Sequence, residues 1–126
     1  MDWQFAPDIK AEIKEIIRRL DFKYIDPKRL AVFRSYGSCS RARARIWGLP
    51  RIWQKALKTS PSYCIEVLSE KFDCLSLEDK RRVLIHELMH IPKNFSGSLL
   101  SHRGRGRRIG SREVEKLFNV FCSKQC

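Results

Sequence analysis

The chain has 126 residues, 43% of them hydrophobic, and a formal net charge of +12. That is enough apolar material for one core and too much for a disordered chain, and the length leaves no room for a second core. No apolar run approaches the roughly 20 residues of a bilayer span, and Met1-Asp2-Trp3-Gln4 lacks the basic and apolar regions of a secretory signal. The expectation is one cytoplasmic domain, 1–126, with no membrane partner.

In chain order, Pro7-Asp8 opens a helical pattern whose Ile9, Ile13, Ile16, Ile17 and Leu20 form one apolar stripe. Asp26-Pro27 marks a turn, and LAVFRSY from Leu30 reads as a first strand. Residues 41–47 alternate strictly, with Arg41, Arg43 and Arg45 on one face and Ala42, Ala44 and Ile46 on the other. This predicts a half-buried strand whose basic face is solvated or touches an anion. Pro50 is placed to start a short helix, with Ile52, Trp53, Ala56 and Leu57 expected to face inward. YCIEVL from Tyr63 is a third strand. Ser76, followed by Asp79 three residues on, starts the longest helix, which should reach about Ile91 before Pro92 and a loop around Gly97. An arginine- and glycine-rich loop at 103–108 follows. Ser111 is expected to cap a last helix with Val114, Leu117, Phe118 and Phe121 on one stripe. The pattern predicts an α+β fold with a small three-stranded sheet. Five cysteines, at 39, 64, 74, 122 and 126, read as reduced thiols.

The chemistry lies in His86-Glu87-Leu88-Met89-His90, an HExxH motif inside the longest predicted helix. A spacing of four residues puts the two imidazoles on one helix face, about 40° apart, with Glu87 turned about 100° from His86. Two such histidines can hold zinc, and the carboxylate can reach an activated water. The surrounding residues are apolar, so two histidines and a glutamate there would be costly without a metal or hydrogen-bond partners. A catalytic zinc usually takes a third protein ligand. The chain has three histidines in all, and the third, His102, follows a loop that Gly97 allows to double back. Glu113 and Glu115 on the last helix are the rival ligands, but acids in a first helical turn have an ordinary role at the helix dipole. His102 has none, and is preferred.

The run VLIHELMHIP from Val83, with Lys93-Asn94-Phe95-Ser96-Gly97 and His102, resembles the minigluzincins, small soluble archaeal and bacterial metallopeptidases related to phage-type metallopeptidases. The stretch SRARARIWGLP from Ser40, with Ile52-Trp53, is similar to the same family, and the resemblance spans about residues 30–121. It implies a zincin-like domain with zinc on His86, His90 and His102 and with Glu87 as general base. It also implies a zinc metalloendopeptidase acting on peptide or protein substrates. Minigluzincins resemble one another in being held latent by their C-terminal segments, which implies a regulatory role for residues 111–126, in cis or within a homodimer. A thiolate from Cys122 or Cys126 in the open zinc position is a further option.

Zinc would activate the water and polarise the scissile carbonyl, while Glu87 shuttles the proton to the leaving amine. An edge strand, taken to be the one beginning at Tyr63, could pair with an extended substrate. Tyr36, Tyr63 and Arg103 are candidate oxyanion partners. The reading from a different class is a nucleic-acid-binding protein, or a DNA-associated protease of the SprT-like kind. It rests on the 41/43/45 arginine face and the 103–108 loop, and of stacking aromatics only Trp47 lies among them.

Overall fold

The computed structural model describes residues 1–104 and 107–124. Its main sheet has four strands where the sequence predicts three: β1 (Asp2–Phe5), β2 (Leu30–Tyr36), β3 (Ala44–Gly48) and β4 (Tyr63–Leu68), in the order β1-β2-β4-β3. β1 escapes a burial-based reading because all four of its residues are exposed. Its Asp-Trp-Gln-Phe alternation is the only local signal. β2 and β4 are parallel, and the other two pairs are antiparallel.

β4 is an inner strand, correcting its assignment to an edge. Four of its last five residues are buried and it pairs on both sides, which is how a near-continuous apolar run such as YCIEVL is used. The edge beside the helix that carries the HExxH residues is β3. That strand starts at Ala44, three residues later than the alternation predicts, because the Ser38 and Ser40 hydroxyls accept the backbone N–H groups of Ser40 and Ala42 and hold those residues in turns.

One face of the sheet is covered by helices. α1 (Pro7–Arg19) buries Ile9, Ile13, Ile16 and Ile17 as its stripe predicts, with Pro7 in the first turn. The short α2 (Arg51–Leu57) and α3 (Ser69–Phe72) flank β4 in sequence. α2 corrects the expectation of an inward face. It has no buried residue, and Ile52 is 78% exposed and Trp53 55% exposed. α4 (Leu77–Met89) carries the HExxH residues and starts where Ser76 Oγ accepts the Asp79 N–H at 3.2 Å. α5 (Ser111–Ser123) buries Val114, Phe118 and Phe121 against α4 and α1. Its N-cap is Gly110 rather than Ser111, and no side chain caps it. Between α4 and α5, β5 (Arg103–Gly104) and β6 (Arg107–Arg108) pair as a two-stranded antiparallel sheet. The core joins α1, α4 and α5 to the covered face of β2, β3 and β4.

On the opposite face the expected anion for the arginine side of β3 is internal. Arg45 and the Trp47 indole N–H both donate to Glu66 on β4, at 2.9 and 3.0 Å, and Glu66 is 1% exposed. Burial alone would raise the Glu66 pKa, but the hydrogen bonds from Arg45 and Trp47 outweigh it and bring it from 4.5 to about 2. A folded-state pKa below the unfolded one adds stability that is complete above about 4.5 and is lost as pH falls toward 2. That shift corresponds to something on the order of 3 kcal/mol at neutral pH. Urea unfolding of Glu66→Gln is therefore expected to show a flatter stability profile between pH 5 and 2 than the unsubstituted protein. An identical slope would mean that Glu66 is not the group responsible.

Candidate metal centre

His86 and Glu87 lie in the last turn and a half of α4, and His90 caps the helix C-terminus. The chain then turns through Phe95 and Gly97, both at positive φ (46° and 93°), and doubles back across the helix end. His102 arrives with its Nε2 3.1 Å from that of His86, and His90 Nε2 lies 3.4 Å from the same atom. The ligand atoms of the three histidines all fall within 4.8 Å of one another. A tetrahedral ion about 2.1 Å from each nitrogen needs nitrogens spaced by about 3.4 Å, so the two closest separations fit such an ion.

The protonation states suit that arrangement. Burial, aided by the charges of the other two histidines, pushes the His86 pKa down to about 4. Burial also lowers that of His90. Neutral imidazoles are what a metal ion requires. His90 Nδ1–H donates to the Leu100 carbonyl at 2.5 Å, which leaves Nε2 as the free lone pair. Glu87 is 8% exposed, and burial pushes its carboxyl up to about 8. It sits beside His86 on the wall of a groove of about 710 Å³.

That groove runs between residues 41–44 and α5, with Val83, His86 and Glu87 exposed to it and Ser111, Val114 and Glu115 on the far side. β3 forms its other margin. The bonds Leu68 N–H to Arg43 O and Leu49 N–H to Ser62 O fix the phase of the β3–β4 ladder. Odd-numbered residues therefore face β4, and the peptide groups of Ala44 and Ile46 point to the free edge.

The rival ligands are elsewhere. Glu115 is ion-paired to Arg82 at 2.9 Å, and neither it nor Glu113 belongs to the histidine group. Among the described residues the group contains no cysteine, and Cys122 is an exposed thiol on α5. Cys126 lies outside the described residues. Of the candidate oxyanion partners, Tyr36 is on β2 in register with Asp2 of β1. Tyr63 spends its hydroxyl on Gly97 and Ser98, and the Arg103 side chain lies outside the description. The sequence reading missed the roles of Tyr63, Gln54 and the Leu100 carbonyl in holding the 92–102 segment. Only Gly97 hinted at a tight turn there.

A helix-borne HExxH and a returning third histidine define a metallopeptidase-like centre. The family described as "Putative phage metallopeptidase" matches residues 1–119, and the chain belongs to it. No curated protein and no solved structure gives a significant match.

Proposed function

We propose that this protein is a zinc-dependent peptidase in which His86, His90 and His102 hold the ion and Glu87 is the general base. The observation that carries the reading is the convergence of three imidazoles, with those of His86 and His90 kept neutral by burial, beside a buried carboxyl on the wall of an open groove. Zinc, when bound, supplies Lewis acidity toward a water and toward the scissile carbonyl. Glu87 takes a proton from the attacking water and delivers it to the leaving amine nitrogen. Its raised pKa suits delivery, and a cation at the three nitrogens favours the charged form needed for uptake. The free edge of β3 pairs with an extended stretch of a peptide or protein substrate and presents its scissile bond to Glu87.

Metal content by mass spectrometry tests the ligand set. About one zinc per chain is expected, lost in His102→Ala and kept in Glu113→Ala. Loss in the glutamate variant instead would reassign the third ligand, and no zinc after reconstitution would remove the reading.

Latency is the finer part of the proposal. The minigluzincin resemblance suggests it, and Ser111, Val114 and Glu115 of α5 favour it by lining the groove beside His86 and Glu87. The C-terminal segment then limits access while it is held to α4 by the Arg82–Glu115 pair.

A further inference from the structure

We infer that Tyr63, assisted by Gln54, is a positioning residue for the third imidazole. The inference rests on the metal site proposed above. It concerns the strap between Pro92 and His102, which has no regular secondary structure and must still bring an exposed histidine within 3.1 Å of His86.

The strap is held at three successive points. Tyr63 is 2% exposed at the start of β4, and its hydroxyl accepts the Gly97 N–H at 2.8 Å and donates to the Ser98 carbonyl at 2.7 Å. Gln54 on α2 donates from Nε2 to both Leu49 O (2.7 Å) and Ser96 O (2.9 Å), which ties the same turn to the end of β3. The slot has no spare room. A Cβ at Gly97 would meet Gln54 Nε2 at 2.2 Å, and one at Gly48 would meet the Gly97 carbonyl at 2.1 Å. Two residues past Ser98, Leu100 donates its N–H to His90 O at 2.7 Å, and its carbonyl receives the His90 Nδ1 proton. His102 follows two residues later.

The Tyr63 hydroxyl therefore acts on both sides of the site. It sets the height of the Leu100 carbonyl that orients His90, and it sets the point from which the chain reaches His102. Phenylalanine would fill the same buried space and lose both bonds, leaving the strap to pivot on Gln54 and Leu100. Loss of partners that orient a metal ligand commonly weakens affinity by about 10–100-fold.

The test is a double-mutant cycle on metal affinity, with Zn²⁺ titrated against a chromophoric chelator and folding followed by circular dichroism. Tyr63→Phe is expected to weaken Zn²⁺ binding by about tenfold, with Gln54→Ala acting in the same direction. In a His102→Ala background, where His86 and His90 alone bind Zn²⁺ too weakly to keep it through purification but still measurably by titration, Tyr63→Phe should cost less, because one of the two ligands it supports is gone. Wild-type affinity in a folded Tyr63→Phe protein would overturn the inference, and so would an undiminished loss in the His102→Ala background, which is what a merely structural role gives. Should Tyr63→Phe fail to fold, Gln54→Ala in the same two backgrounds decides the matter alone, by the same criteria. Absence of Zn²⁺ binding by the unsubstituted protein is a different failure, one that removes the metal-site reading and this inference with it.

Discussion

Glu87→Gln is expected to lower peptide hydrolysis by about 10²–10⁴-fold, the range general acid–base catalysis contributes, with fold and zinc content unchanged. Glutamine is nearly isosteric, so the groove wall beside His86 stays filled. It carries no carboxylate to accept a proton from water, and its neutral amide suits a site where burial already disfavours charge. Turnover of a quenched peptide mixture, measured beside metal content, checks this. Activity within a fewfold of the unsubstituted protein would remove Glu87 as base. Loss of zinc together with activity would point to a ligand or structural role for the carboxylate.

Phe121→Ala is expected to destabilise the protein by about 3–5 kcal/mol, the usual cost of emptying a buried phenylalanine site. Phe121 is fully buried, and the guanidinium carbons of Arg19 and Arg81 lie 4.4 and 5.1 Å from its ring centroid. It thus joins α5 to both α1 and α4, and the urea midpoint should fall accordingly. The same position bears on latency. Deleting residues 119–126 removes Phe121, so loss of core packing accompanies any opening of the groove. Latency requires that the deletion raise turnover per folded molecule despite the lower stability. A deletion that only lowers stability confines α5 to a structural role.

The HExxH motif was legible because its geometry is local. Helical spacing alone puts His86 and His90 on one face, and Ser76 and Pro92 mark the ends of the helix around them. The apolar stripes of α1 and α5 were legible for the same reason. What failed were statements about which surfaces meet. Ile52, Trp53 and Leu57 look like an inward face, but a seven-residue helix tied down by Gln54 leaves them in solvent. Arg45 looks like part of a basic surface, and Glu66, 21 residues away on the neighbouring strand, pairs with it.

Strand order is the clearest case. Tyr63–Leu68 has the length of an edge strand and the composition of an inner one, and its place was settled when β2 and β3 paired on its two sides. The free sheet edge, and with it the place proposed for a substrate strand, passes thereby from β4 to β3. The third histidine stands between the two kinds of information. Its residue type and the returning glycine are written in the chain, whereas its 3.1 Å approach to His86 depends on a hydroxyl 39 positions away and an amide 48 positions away. Periodicity fixes what a helix turn brings together, because backbone geometry repeats. Contacts between distant segments are decided only when the core closes, because they depend on which apolar faces bury each other and which polar groups must then be paired.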